Sequence, residues 1–146
     1  MFGFIASGKT PRLAPGRPGI KGSRPPVVKQ ITQSLSVATR RGLNEITSGV
    51  RGVLRASGVR SGLCTVYIRH TSASLIVQEN ADVAVQRDLE AFLSRLVPDG
   101  DPLFTHVTEG DDDMPSHVKA ALTQTSEQVP VRKGDLVLST WQKIYV

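Results

Sequence analysis

The sequence predicts an α+β domain: a mostly antiparallel sheet packed with helices. Three observations point to it. Strand-like and helix-like stretches follow one another as β-α-β-(β)-α-β-α-β-β, which is not the regular alternation of a parallel α/β fold. The strand candidates are short and bounded by Gly, Pro, Asn and Asp. Two stretches carry apolar residues at helical spacing. The chain has 146 residues, a length suited to one domain with a useful core.

Residues 1–25 come first and read as a disordered basic tail. Five glycines and five prolines fall within residues 1–29. Such a segment cannot bury enough apolar area to offset the entropy of ordering it. An organellar transit peptide and a mis-assigned start are the competing readings; the amphipathic helical pattern of a transit peptide is missing. The domain is expected over 26–146.

Val27 to Val37 alternates as a strand with one slip, which suggests an edge position or a bulge. Arg40-Arg41-Gly42 turns the chain. Leu43, Ile46, Val50, Val53, Leu54 and Ser57 form one helical stripe of about four turns. Gly58 is placed to end that helix, while Gly49 and Gly52 weaken its middle. Leu63 to Arg69 is nearly continuous in apolarity, so it predicts a central strand covered on both faces. Residues 74–78 look extended. A second helix starts near Asp82, a good N-cap, with a stripe of Val85, Leu89, Phe92, Leu93 and Leu96, and Pro98 stops it.

Pro98 to Pro102 reads as a loop and Leu103 to Val107 as a short strand carrying His106. A third, short helix is expected with Asp113 as its cap and Pro115 in the first turn. Val118, Ala121 and Leu122 are expected to face inward. Val129 to Val131 and Leu136 to Val146 predict a closing hairpin around Arg132-Lys133-Gly134-Asp135. The last strand ends on Tyr145-Val146 in mid-pattern, so the domain reads as cut short.

Charge and composition narrow the function. The net charge is +5 at pH 7. Residues 1–29 hold Lys9, Arg12, Arg17, Lys21, Arg24 and Lys29 and no acid, leaving 12 basic against 13 acidic residues, or −1, for the rest. A nearly neutral domain argues against a nucleic-acid partner. No apolar run approaches the ~20 residues that span a bilayer, and no secretory signal is recognisable. The single cysteine, Cys64, excludes an internal disulfide and CxxC metal sites. It reads as a small buried hydrophobe. A reducing cytoplasm is the expected compartment.

Chemistry concentrates in Tyr67 to Asp82, where His70, Ser72, Ser74, Glu79, Asn80 and Asp82 lie between a strand and a helix. Two further concentrations follow: His106 with the acidic run Asp111-Asp112-Asp113 and His117, and then Thr140-Trp141-Gln142. Three histidines from separate elements are a common donor set for zinc with an open position, and Asp112 or Asp113 could orient one of them. Spacing alone favours the plainer reading, three hydrogen-bonded histidines at element ends. Ser72 and Ser74 lack a nucleophile elbow and suit anion or backbone contacts. Glu79 is available as an acid or base. Trp141 is either core or a stacking wall.

The order His70-Thr71-Ser72-Ala73-Ser74-Leu75, Glu79-Asn80-Ala81-Asp82, His106, Glu109-Gly110, Asp112-Asp113-Met114-Pro115-Ser116-His117-Val118-Lys119, Pro130-Val131, Gly134 and Thr140-Trp141-Gln142 resembles the YjbQ-like (UPF0047, secondary thiamine-phosphate synthase) family over roughly 27–146. The resemblance implies a YjbQ-like α+β fold assembled as a homotrimer. It implies a thiamine-phosphate synthase-type transferase, joining hydroxymethylpyrimidine diphosphate to a thiazole phosphate and releasing pyrophosphate. Carried onto this chain, it places His70, His106 and His117 as ligands of a divalent metal, zinc or magnesium. His70, His117 and Glu79 become catalytic, and Ser72, Ser74, Asn80, Asp112, Asp113, Trp141 and Gln142 bind substrate. Ser139 and Lys143 stand where members usually have glycine, and members continue with one more strand, which this domain is expected to lack. Alternatives are a non-catalytic trimeric binder of a phosphorylated small molecule and a metal-dependent phosphoester hydrolase.

Overall fold

The apolar stripe of the first helix decides where the core lies. In the computed structural model, which describes residues 29–146, α1 spans Thr47–Ser57. Ile46, Val50 and Leu54 recur every four residues, so all three fall on one face and are buried. They pack with Leu75, Val129, Val131, Leu136 and Ile144. Gly58 ends the helix in the left-handed conformation, φ 69°, which costs a residue without a Cβ little. Gly49 has a packing reason for its place in mid-helix. A Cβ there would stand 3.0 Å from Leu35 Cδ2.

Two antiparallel sheets carry the rest of the core. β1 (Ser61–Tyr67) pairs along its length with β3 (Ser126–Arg132), from Ser61 opposite Arg132 to Tyr67 opposite Ser126. β4 (Asp135–Leu136) pairs with the other edge of β3. Lys133 and Gly134 join them, with φ 56° and 83°, the paired positive φ values of a two-residue hairpin turn. β2 (Ile76–Glu79) pairs with β5 (Gln142–Tyr145). The chain before α1 extends that second sheet: Asn44 and Val146 exchange two backbone hydrogen bonds of 2.9 Å. Thr47, 1% exposed, locks α1 to β5, accepting from the Ile144 amide at 2.8 Å.

Several expectations change. Residues 29–37 form no ladder with any described strand and are exposed; Val27 and Val28, like the tail at 1–25, lie outside the described residues. β1 is an edge strand rather than a central one, with Leu63 58% and Tyr67 67% exposed. Its apolarity comes from alternate positions serving two environments. Leu136 to Val146 is two strands, not one, because the chain turns at 139–141 and crosses to the second sheet. Leu103 to Val107 is irregular, with Leu103 84% exposed.

α2 (Val83–Leu96) begins as the sequence predicts, with Asp82 Oδ1 accepting from the Ala84 amide at 2.7 Å. No residue of α2 is buried, and Phe92 and Leu96 from its stripe are 52% and 54% exposed. α3 (Asp113–Leu122) buries Pro115 and Ala120, while Ala121 and Leu122 face outward, against expectation. Among the described residues, no helix is long and apolar enough to cross a membrane.

Candidate metal centre

The loop before α3 determines what the acidic run can do. Gly110 sits at φ 116°, and its carbonyl accepts from the Asp113 amide at 3.3 Å. Asp112 is the N-cap position but makes no side-chain cap. Backbone therefore does the capping, and the Asp113 carboxylate is released from the role the sequence assigned to it. It turns inward, 15% exposed, and meets two imidazoles. Asp113 Oδ2 lies 3.0 Å from His106 Nε2 and 3.3 Å from His117 Nε2. The three donor atoms all fall within 4.8 Å of one another.

Hydrogen bonding fixes one proton of one imidazole. His117 Nδ1 is 3.0 Å from the Thr71 carbonyl oxygen. A carbonyl only accepts, so Nδ1 carries a proton and Nε2 is the nitrogen left to face Asp113. With Nε2 bare, its lone pair confronts a carboxylate oxygen; with Nε2 protonated, the contact is an ion pair. Asp113 Oδ2 is buried and has no aligned hydrogen bond despite its two close nitrogens. Buried polar atoms are almost always satisfied, and two lone pairs at this distance repel. A cation between them would satisfy all three donors. Two imidazoles and one carboxylate suit zinc or a similar transition metal, whereas magnesium prefers oxygen alone. The Nδ1–H to carbonyl bond is the usual outer support of a ligating histidine.

His70 stands outside this donor set. Its Nδ1 accepts from the Ser72 amide at 3.1 Å, with Ser72 Oγ at 3.3 Å. The His70–Ser74 loop is nevertheless fastened to α3 at two points, in mid-helix and at the C-cap. Thr71 holds His117, and the Ser74 and Thr123 hydroxyls lie 2.6 Å apart. Ser74 thus has a structural partner. Leu75 and Gln124 continue the link as a β-bridge.

A second group forms where β2 and β5 end. Glu79 lies opposite Gln142, and the Asn80 amide donates to the Trp141 carbonyl at 2.9 Å. Gln142 Oε1 accepts from the Ser139 amide at 3.0 Å, and Trp141 is 59% exposed. A shallow cleft of about 120 Å³ opens beside His106, walled by Phe104, Val107 and Met114 with Asp101 and Asp111 at its rim.

Electrostatics brace the site from outside. Arg41 reaches Asp99 at 2.7 Å and Asp112 at 3.9 Å, and Lys119 approaches Asp99 at 3.9 Å. The hydrogen bond from Arg41 holds the Asp99 carboxyl below its ordinary range. Desolvation pushes the Cys64 thiol up, so it stays protonated and packs against the core. Asp113 as a donor was legible in principle, since Asp-x-x-x-His puts both side chains on one helical face. Thr71 contributes only backbone, which leaves no residue-type signal.

Residues 31–146 match the family model described as UPF0047 protein YjbQ-like. The chain is 48% identical over 119 residues to a UPF0047 protein of Synechocystis, covering 81% of each chain. It is 42% identical over 118 residues to the UPF0047 protein YjbQ of Escherichia coli O157:H7, covering 80% of this chain and 84% of the relative. A crystal structure of a YjbQ/UPF0047 family protein from Clostridium acetobutylicum matches with a TM-score of 0.67 and 33% identity, over 76% of this chain and 83% of that one. The fold, the order of the motifs and these likenesses agree: the chain belongs to the YjbQ-like UPF0047 family.

Proposed function

We propose that the protein is a divalent-metal-dependent enzyme acting on a phosphorylated small molecule, with thiamine-phosphate synthase-type coupling as its specific reaction. One observation carries this reading: the buried, unsatisfied Asp113 Oδ2 set between the Nε2 atoms of two imidazoles, with His117 Nδ1 committed to the Thr71 carbonyl. His106, Asp113 and His117 would hold the metal, with zinc favoured over magnesium by the two imidazoles. Bound there, it supplies positive charge to the diphosphate leaving group. The Ser72 hydroxyl, free to rotate away from His70 Nδ1, adds a donor for a phosphate oxygen. Asp112, exposed and 3.9 Å from Arg41, stands at the N-cap of α3. Glu79 and Asn80, with Gln142, would position the acceptor, and the exposed face of Trp141 would stack on a heterocycle.

The same reading includes a cytoplasmic homotrimer. The uncovered apolar side chains of α2 and of the β1 edge support it, because monomers rarely leave such patches in water. The test combines metal analysis of the purified protein with an assay for pyrophosphate release from hydroxymethylpyrimidine diphosphate and thiazole phosphate. Stoichiometric metal and metal-dependent coupling are expected. Metal-free protein that neither takes up zinc nor turns over would end the proposal. The half-exposed His106 favours phosphoester hydrolysis as the second reading, since water reaches that side of the cluster. Phosphate release without coupling would select it.

A further inference from the structure

The loop His70-Thr71-Ser72 touches two imidazoles through two kinds of backbone group. The Thr71 carbonyl faces His117 Nδ1 at 3.0 Å, and the Ser72 amide faces His70 Nδ1 at 3.1 Å. A carbonyl accepts and an amide donates, so the two contacts put a proton on Nδ1 of one ring and keep it off Nδ1 of the other. His117 must carry a proton on Nδ1, so only its Nε2 can meet a metal. His70 must leave Nδ1 bare and carry its proton on Nε2. The Ser72 hydroxyl, 3.3 Å from the same His70 nitrogen, can donate to it as well, which further opposes protonation there.

We propose that this tripeptide sorts the two histidines into different jobs: His117 becomes a metal ligand, and His70 becomes a neutral hydrogen-bond donor to an oxygen of a phosphate-bearing ligand. This rests on the metal-site reading above and deepens it. The assignment removes His70 from the metal ligands and from proton transfer. Its Nε2 already holds a proton and cannot act as a base. A neutral imidazole does not give that proton up at ordinary pH, so it does not act as an acid. What remains is a fixed N–H on an exposed side chain. A neutral donor in this role polarises an oxygen without adding a further positive charge to the site. The Asp113 carboxylate in the donor set, with Asp111 and Asp112 before it in the chain, would repel a free anion. Phosphate is therefore expected to bind only after the metal.

Long-range 1H–15N spectra of the full-length metal-free protein test the sorting directly. His117 is expected as the Nδ1–H tautomer and His70 as the Nε2–H tautomer. Finding His70 protonated on Nδ1, or both rings in one tautomer, overturns the inference. Zinc titration of His70→Ala then separates donor from ligand. Zinc affinity within about threefold of the unsubstituted chain is expected, against loss in His117→Ala. If His70→Ala loses zinc, His70 is a ligand and the inference fails while the metal site stands. If no form binds zinc, the metal reading fails, and phosphate binding without metal then overturns the ordered role proposed here. Inorganic phosphate binding to the zinc-loaded protein should weaken about tenfold in His70→Ala, the loss of one hydrogen bond to a charged group, and recover in part in His70→Gln. Equal phosphate affinity in all three forms contradicts the donor role.

Discussion

At the residue scale, a side chain's role follows from what its neighbours leave it free to do. Asp113 sits where a helix cap is expected, yet the Gly110 carbonyl takes the amide and the carboxylate faces two imidazoles. Asp113→Asn keeps the size but halves the acceptor capacity and removes the charge. Zinc affinity is expected to fall at least about tenfold, measured by competition with a chromophoric chelator, with the fold retained. Thr47 makes a comparable point in the core. Its hydroxyl accepts from the Ile144 amide in a site 1% exposed. Thr47→Val is expected to cost about 1–3 kcal/mol in urea unfolding, because it strands a buried donor. Residue chemistry was legible where side chains act: His106, His117 and the aspartate run stand out in the sequence. Thr71 and Gly110 act through backbone atoms, and residue type says little about those.

At the element scale, several patterns local to one element were read correctly, while the extent of α1 before Thr47, the cap and inward face of α3, and most partnerships were not. The stripe of α1, the Gly58 stop, the Asp82 cap and the Lys133-Gly134 turn depend on neighbours a few residues away. The position of β1 at an edge and the crossing of β5 to the second sheet depend on residues far along the chain. Residues 31–37 have the strand alternation without a described strand to pair with. The two mid-helix glycines of α1 separate on the same logic. Gly49 is packed against Leu35, whereas a Cβ at Gly52 meets nothing within 4 Å. Gly52→Ala is expected to stabilise by about 0.5–1 kcal/mol, and Gly49→Ala to gain less or lose stability, both measured by denaturant unfolding. Asp99 ties the loop before α3 to Arg41. Its folded pKa lies below the unfolded value of about 3.9. The contribution is thus present above that value and is lost as pH falls through the lower, folded pKa. Asp99→Asn should flatten the acid limb of a stability profile; an unchanged limb would show that solvent screens the pair.

At the scale of the whole molecule, apolar surface is the main imbalance. α2 buries no residue, and Phe92, Leu96, Leu63 and Tyr67 are all more than half exposed. The sequence shows that these residues are apolar; it does not show that a single chain fails to cover them. The proposed trimer would cover such surface. Sedimentation equilibrium is expected to give three times the chain mass, and Phe92→Lys with Leu96→Lys should shift the distribution toward monomer. A monomer of the unsubstituted chain would leave those faces without a role in assembly.

Direct metal binding tests the cluster of His106, Asp113 and His117 most closely. Isothermal titration of metal-stripped protein with zinc is expected to show one site per chain, lost in Asp113→Asn and in His117→Ala and kept in His70→Ala. Absence of zinc binding, or binding that survives both of the first two substitutions, would contradict it.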